Sequence, residues 1–170
     1  MVTTKLKNLD YDILSHLIKN SRLSDRQLAK ILGVSQPTVT RRRTQLEKEG
    51  LLEYTAIPDF GKLDFEIMAF TFGKWNFGAH PDTQVHAAKD FINRHPNIVF
   101  VSTGTGDFGD RVAISVHKDY SEYSKFMSEV RQEWAEFMGS SSTFIISLKT
   151  DNIVRKLTFK FLIDAVKKKP

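Results

Sequence analysis

The stretch LSDRQLAKILGVSQPTVTRRRTQLEKEG, residues 23–50, contains two helix signals joined by a tight turn. Ser24 precedes the first helix, with Gln27 three residues later, which is the spacing of a capping box. Gly33 follows the apolar end of that helix and predicts a left-handed residue that terminates it. Ser35 then stands where a second helix would be capped. The stretch therefore predicts a helix-turn-helix.

The residues on either side of this stretch complete a small domain. LDYDILSHLIKN, residues 9–20, has the apolar spacing of a one-sided helix. LLEYTAIPDF, residues 51–60, is typical of a β segment and predicts a short strand pair that leads onward as a hinge strand. The turn should bring the second and third helices together around a small core of Leu28, Leu32, Val34, Val39 and Leu46. We expect residues 1–60 to form a winged helix-turn-helix domain.

The third helix of this domain is polar and basic on its outward side. A helix-turn-helix projects the start of this helix into a DNA major groove. Thr40, Arg41, Thr44 and Lys48 point outward, suit phosphates or base edges, and include no acidic residue. The full set of predicted DNA-binding residues is Ser24, Ser35, Gln36, Thr38, Thr40, Arg41, Arg42, Thr44 and Lys48. The alternative is a plain three-helix bundle that binds no nucleic acid.

Three consecutive arginines lie in this helix, and helical geometry separates their directions. With Val39 facing the core, Arg41 points about 160° away, Arg42 about 60° to one side, and Arg43 only about 40° from the core. Arg41 is therefore predicted to read base edges, together with Thr38 and Thr40, and Arg42 to hold a phosphate. Arg43 is predicted to lay its stem along the core and to bring its guanidinium to an acidic partner or to the domain edge.

Residues 9–59 resemble the N-terminal domain of a known family, the Lrp/AsnC (leucine-responsive, "feast/famine") transcription regulators of bacteria and archaea. The similarity rests on Leu9-Asp10, on the LA..LGVS turn, on TV.RR...LE.EG and on the apolar pair after that glycine. Arg43 stands where the family pattern would place an aliphatic residue. The resemblance implies a sequence-specific DNA-binding regulator that responds to an effector and associates with itself.

The second half alternates strand-like and helix-like segments in the order βαββαβ. FEIMAFTFGKWNF (65–77) and STFIISLKT (142–150) suit strands, and NIVFVSTGTGDFGDRVAISVHK (97–118) suits two strands around a glycine-rich loop. Residues 82–95 and 119–139 have helical patterns. This order predicts a ferredoxin-like sheet with two helices on one face over residues 61–150. The chain is therefore assigned to the α+β class, and this half also resembles the effector and oligomerisation (RAM) domain of the Lrp/AsnC regulators.

The glycine-rich loop TGTGDFGD, residues 103–110, has two possible roles. It is not a P-loop, because no GK[ST] follows and no helix begins there. The family resemblance implies that its backbone N–H groups hold the carboxylate of an amino-acid effector, with an acidic residue facing the ammonium. The predicted effector-binding residues are Gly104, Thr105, Gly106, Asp107 and Asp110. The alternative is a tight hairpin whose glycines serve only to adopt positive φ.

Composition narrows the remaining classes. The chain of 170 residues contains no cysteine, which excludes disulfides and thiolate chemistry. His80 and His86 lack the spacing of a metal pair on one helix face, so no metal site is expected. No catalytic set or cofactor motif is recognised, and no membrane span or signal segment is found, so we expect a cytoplasmic protein that is not an enzyme.

Charge is distributed unevenly along the chain. Residues 1–60 have a net charge of +3, residues 61–148 of −3, and residues 149–170 of +5. A basic head and a basic tail predict an anionic partner. The tail, residues 151–170, suits either an edge strand or an amphipathic helix, and it contributes either phosphate contacts or subunit contacts.

The sequence thus predicts a regulator that binds double-stranded DNA as a homodimer or higher even oligomer. The contacts between subunits are expected in the segment after Gly50 and on the exposed side of the sheet. No cofactor is expected beyond a possible amino-acid effector. The alternatives are a sequence-independent architectural DNA-binding protein and, in a different class, a metabolite-binding protein or enzyme built on the ferredoxin-like half.

Overall fold

The structure is a computed structural model that describes residues 6–75, 81–135, 137–150 and 153–166. The chain divides into two compact units. The first contains the residues up to Ile57 together with those from Arg155 onward, and the second runs from Pro58 to Val154.

The first unit begins with three helices: α1 (Asn8–Lys19), α2 (Asp25–Leu32) and α3 (Gln36–Lys48). Gly33 adopts a left-handed conformation with φ of 66° and ends α2, as its position predicts. The apolar sides of the three helices meet in one core, and the predicted core residues all contribute to it. Leu28, Val39 and Leu46 are buried, and Leu32 and Val34 pack against them.

The segment after α3 differs from its prediction. Residues 51–59 contain no strand, so the expected strand pair and hinge strand are absent from the described chain. The physical reason is that a β segment is stable only when a second strand supplies its ladder hydrogen bonds. Within the part of the chain that the structure describes, no strand pairs with these residues.

The second unit is an antiparallel sheet with two helices, and it confirms the predicted ferredoxin-like order. Its elements are β1 (Ile67–Trp75), α4 (Pro81–Arg94), β2 (Ile98–Gly106), β3 (Gly109–His117), α5 (Tyr120–Trp134) and β4 (Met138–Ser147). The strands lie in the order β2-β3-β1-β4. The α+β class is therefore as predicted.

The two faces of this sheet have different surroundings. On one face, Ile67 and Ala69 of β1 are buried with Phe91 of α4 and with the apolar side of α5. Tyr123, Phe126, Met127, Val130 and Trp134 form that side of α5, in agreement with the sequence pattern. The opposite face, which we call the open face, presents Phe70, Phe72, Phe144 and Ile146, and Phe70 and Phe144 are register partners.

The C-terminal tail is helical at its end. A 3₁₀ turn (Lys160–Leu162) leads into the short helix α6 (Ile163–Val166), and both pack against α1. Residues 153–159 contain no strand, which removes the edge-strand alternative for that part of the tail. From Arg155 onward, the tail thus groups with the helical unit instead of forming the separate segment that the sequence suggested.

Candidate nucleic-acid interface

Side-chain caps fix the start of α2 and of α3. The Ser24 hydroxyl accepts the N–H of Gln27, and the Gln27 side chain accepts the N–H of Ser24, which is the predicted capping box. The Ser35 hydroxyl lies 2.8 Å from the Thr38 hydroxyl and accepts the Thr38 N–H. These caps hold the helix-turn-helix backbone in place and occupy the hydroxyls of Ser24, Ser35 and Thr38.

The predicted reading residues lie together on one side of α3. Gln36, Thr40, Thr44 and Lys48 follow at intervals of four residues, which places them on one helix face, and all four are exposed. Arg41 is exposed beside this stripe. We call these five residues the reading face. Thr38 is only half-buried, so it too reaches the surface.

Arg42 does not take the place that the sequence predicted for it. Its Nε donates to Asp10 Oδ1 over 2.6 Å, and its Nη2 donates to Asp10 Oδ2. The Asp10 side chain is completely buried, and that of Arg42 is 16 % exposed. Because the guanidinium is turned toward α1 by this bidentate pair, we remove Arg42 from the proposed phosphate contacts and assign it to the packing of α3 on α1.

The environment of Asp10 favours its charged form. Burial by itself raises the pKa of Asp10. The hydrogen bonds from Arg42 and from the Lys7 backbone N–H together lower that pKa by more than burial raises it, so the pKa lies below its usual value. The same hydrogen bond raises the pKa of Arg42. Both partners therefore stay ionised across the neutral range.

Arg43 reaches an acidic partner, as the sequence predicts. Its Nη1 donates to Asp25 Oδ1 and to the Leu23 carbonyl oxygen, each over 3.0 Å. Its Nε lies 2.6 Å from the Tyr54 hydroxyl, and the guanidinium stacks over the Tyr54 ring at 4.9 Å. The Tyr54 hydroxyl donates to Glu47 over 2.9 Å. Arg43 thus connects α2, α3 and the segment after α3.

The sequence analysis predicts no ion pair for either of the two acidic residues that hold these arginines, Asp10 and Asp25. Asp10 lies three residues before buried Ile13 and seven before buried Leu17, so an acidic group sits on the apolar side of α1. That position is a signal for a paired buried charge. Asp25 had no comparable signal, because an acidic residue in a first helical turn is ordinary.

The predicted effector residues lie at one hairpin. Gly104, Thr105 and Gly106 end β2, Asp107 follows in the turn, and Asp110 lies near the start of β3. Asp107 is exposed, whereas Asp110 is half-buried with its carboxylate 3.6 Å from Nη1 of Arg111. The structure brings the five residues together in sequence order along the hairpin.

The glycines of this hairpin do not all serve positive φ. Gly104 and Gly106 have no positive φ and have open space where a Cβ would lie. Gly109 is different, because its φ is 145° and a Cβ there would overlap the carbonyl oxygen of Gly73. The alternative that glycine conformation alone explains the loop therefore fits Gly109 and does not explain Gly104 or Gly106.

Other site chemistry is sparse in the described ranges. Within residues 6–75, 81–135, 137–150 and 153–166, no group of three or more His, Asp or Glu side chains is arranged to hold a metal ion. His86 is exposed on α4, and His80 lies outside the described residues. No helix in the described residues combines the length and apolarity that crossing a bilayer requires.

Comparisons with known proteins agree with this architecture. A family model described as winged helix-turn-helix DNA-binding matches residues 6–53. An uncharacterised HTH-type transcriptional regulator of Pyrococcus abyssi is 28 % identical over 130 residues, which cover 76 % of this chain and 84 % of the relative. The HTH-type transcriptional regulator LrpC of Bacillus subtilis is 33 % identical over 97 residues, which cover 56 % of this chain and 64 % of LrpC.

Solved structures extend the similarity over both units. The structure of LrpC superposes with a TM-score of 0.70 at 25 % identity, covering 84 % of this chain and 95 % of LrpC. A transcriptional regulator of Neisseria meningitidis, solved as a complex with L-Met, has the same fold with a TM-score of 0.74 at 21 % identity, covering 91 % of this chain and 94 % of that one. With a winged helix-turn-helix match, relatives named as HTH-type transcriptional regulators and the same two-unit fold as LrpC, the chain has a helix-turn-helix DNA-binding domain and is similar over both units to regulators of the Lrp/AsnC type.

Proposed function

We propose that this protein regulates transcription by binding specific double-stranded DNA sites through the reading face of α3. The observation that carries the proposal is the composition of that face, where Gln36, Thr40, Arg41, Thr44 and Lys48 are exposed together. Arginine suits guanine, and glutamine suits adenine, in the major groove. Relatives named as transcriptional regulators support the same role.

Acidic residues near the reading face are neutralised by ion pairs, which favours DNA binding. The carboxylate of Asp25 lies beside α3, and its ion pair with Arg43 offsets a negative charge that would otherwise repel phosphates. The Asp10 carboxylate is likewise matched by Arg42 and is removed from the surface. Arg41 and Lys48 are therefore the cations of α3 that face outward for DNA.

Selection of binding sites from a random-sequence duplex library tests this function. A regulator should enrich one consensus, with two related half-sites centred about 10 base pairs or a multiple of that apart, because a dimer presents two reading helices. Binding to the consensus should exceed binding to bulk DNA by at least about 10³-fold. Failure to enrich any sequence would contradict the proposal and would favour the alternative, a sequence-independent architectural protein.

The open face of the sheet supports self-association. Phe144 is 66 % exposed there, and Phe70, Phe72, Phe108 and Phe144 line an open groove of about 510 Å³. A contiguous apolar patch on a sheet commonly marks a protein interface. We assign this face to contact with a second copy of the chain, in keeping with a homodimer or a higher even oligomer.

Phe144→Glu tests this assignment, with Tyr120→Glu as its control. Both side chains are 66 % exposed, but Tyr120 lies on α5 and not on the open face. Light scattering of the wild type should give a multiple of the 19.5 kDa chain mass. Phe144→Glu should reduce this mass and Tyr120→Glu should not. A monomeric wild type at micromolar concentration, or equal behaviour of the two variants, would refute the assignment.

The hairpin formed by Gly104, Thr105, Gly106, Asp107 and Asp110 is proposed as the place where an amino-acid effector binds. The N. meningitidis regulator in complex with L-Met supports an amino acid as the class of ligand. Backbone N–H groups would hold its carboxylate, and Asp107 or Asp110 would face its ammonium.

Alanine variants of the two acidic residues test the effector site. Thermal shift with each of the twenty amino acids identifies a ligand, and DNA affinity is then measured with and without it. Asp107→Ala or Asp110→Ala should abolish the ligand-dependent change and leave DNA binding without ligand intact, whereas Asp90→Ala on α4 should change neither. An unaltered response in both hairpin variants would show that the hairpin is only a turn.

A further inference from the structure

The hydroxyl of Thr40 has a fixed polarity in this structure. It is 2.7 Å from Asp25 Oδ2 and 3.1 Å from the carbonyl oxygen of Gln36, and its one proton is shared between these two acceptors, with the shorter contact to Asp25. A carboxylate oxygen and a carbonyl oxygen only accept hydrogen bonds, whereas a hydroxyl has one proton and two acceptor lone pairs. The single proton of Thr40 is therefore directed into the protein.

Arg43 holds the acceptor of this proton in position. Asp25 Oδ1 accepts from Arg43 Nη1 over 3.0 Å, while Oδ2 accepts from Thr40. The side chains of Asp25 and Arg43 are only 22 % and 19 % exposed, so the pair is partly shielded from water. Each carboxylate oxygen thus has its own donor, and the hydrogen bond to Thr40 is charge-assisted.

We infer that Thr40 is a specificity-determining residue that reads DNA only as a hydrogen-bond acceptor, toward the amino group of adenine or cytosine. In the major groove, adenine N6 and cytosine N4 are donors, whereas guanine O6, thymine O4 and the purine N7 atoms are acceptors. A threonine whose proton is already used can pair with the first group and not with the second. Arg43 acts here as a positioning residue through Asp25.

This inference rests on the proposed function, because it requires the reading face to meet base edges. Thr40 is exposed in the middle of that face, between Gln36 and Thr44 on the same stripe. Within the described residues, it is the one member of the reading face that donates a hydrogen bond to an acidic side chain. Its neighbour Arg41 carries only donors, so the two residues read complementary groups.

The test uses the 170-residue protein in three forms: wild type, Thr40→Val and Thr40→Ser. Valine keeps the shape of threonine but removes the lone pairs, and serine keeps the hydroxyl but removes the methyl group. Site selection with the wild type and with Thr40→Val identifies the base pair whose preference depends on the hydroxyl. At that pair, purine replaces adenine, or 2-pyrimidinone replaces cytosine, so that only the amino group is deleted.

The amino deletion should weaken wild-type and Thr40→Ser binding about three- to tenfold more than it weakens Thr40→Val binding, as expected for one hydrogen bond. Replacing the purine of that pair by its 7-deaza analogue should affect the three proteins equally. Equal effects of the amino deletion on all three proteins, or selection profiles that Thr40→Val leaves unchanged, would overturn the inference. A 7-deaza effect confined to the two hydroxyl-bearing proteins would overturn it as well, because Thr40 would then donate.

Failure of the proposed function has a different signature. If the wild type enriches no sequence at all, DNA reading itself is refuted, and the inference falls with it. Thr40→Val loses the hydrogen bond to Asp25 and should melt at a somewhat lower temperature than the wild type, whereas Thr40→Ser keeps that bond. A single cooperative melting transition above the assay temperature confirms that each variant is folded.

Discussion

The Asp10–Arg42 pair gives a prediction that separates a packing role from a DNA role. Arg42→Met removes the guanidinium and leaves a completely buried carboxylate without its cation. Removing one partner of a buried ion pair costs about 3–5 kcal/mol. Since the Lys7 N–H still bonds Asp10 and Arg42 is 16 % exposed, we expect a loss of about 2–4 kcal/mol in the free energy of unfolding.

Urea unfolding followed by circular dichroism measures this loss. The matched control is the double variant Asp10→Leu/Arg42→Met, in which no charge is left unpaired. It should be much closer to the wild type than Arg42→Met is, because replacing a whole buried pair by apolar groups is often nearly neutral. A loss below about 0.5 kcal/mol for Arg42→Met, or a double variant less stable than the single one, would refute the reasoning.

The same pair makes a pH prediction. The pKa of Asp10 is lower in the folded than in the unfolded chain, so its ionised form stabilises the fold above the unfolded value of about 4. That contribution should decline as the pH falls from there through the folded-state pKa. The double variant should lack this part of the pH dependence. On DNA, Arg42→Met should leave the salt slope unchanged, whereas loss of a phosphate contact would lower it by about one.

Three further predictions concern stability. Arg43→Leu removes the bonds to Asp25 and Tyr54 and should lower the free energy of unfolding by about 1–3 kcal/mol in urea titrations; an unchanged midpoint would contradict this. Burial lowers the pKa of His117, and nearby Glu122 only partly opposes this shift, so the free energy of unfolding should fall as the pH drops below about 6.5. His117→Gln should lose that pH dependence, and equal pH profiles of the variant and the wild type would contradict the prediction. Gly109→Ala places a Cβ against the backbone of Gly73 and should lower the melting temperature strongly. Gly104→Ala has open space at the Cβ position and should change the melting temperature little, so similar shifts in the two variants would contradict the structure.

The parts of this molecule that were predicted from sequence depend on neighbours close along the chain. Ser24 caps α2 by accepting the N–H of Gln27, three residues away, and Gly33 ends the same helix directly after its last residue. The βαββαβ order is predicted in the same way, because each segment has its own strand-like or helix-like residue pattern. These local signals were sufficient for the helix-turn-helix, the ferredoxin-like sheet and the outward direction of Arg41.

The parts that were missed depend on partners distant in sequence. Angular geometry placed Arg42 on the flank of α3, but it did not reveal that this flank faces Asp10, 32 residues earlier. Similarly, Thr40 was recognised as outward-facing, whereas its bond to Asp25 spans 15 residues. Residues 51–59 have the composition of a β segment, but a strand also needs a partner strand to supply its hydrogen bonds. The sequence of one segment does not reveal whether such a partner exists.

Recognition of DNA sequence by the reading face of α3 should depend most on Arg41, the exposed arginine of that face. Its most direct measurement is the ratio of dissociation constants for the selected duplex and a scrambled one, by fluorescence anisotropy at fixed salt, for the wild type and for Arg41→Ala. The wild-type ratio should be at least about 10³, and Arg41→Ala should reduce it by about 5- to 150-fold, equivalent to 1–3 kcal/mol, mainly through weaker binding to the selected duplex. Equal wild-type affinity for the two duplexes, or a uniform loss on both in Arg41→Ala, would contradict the account.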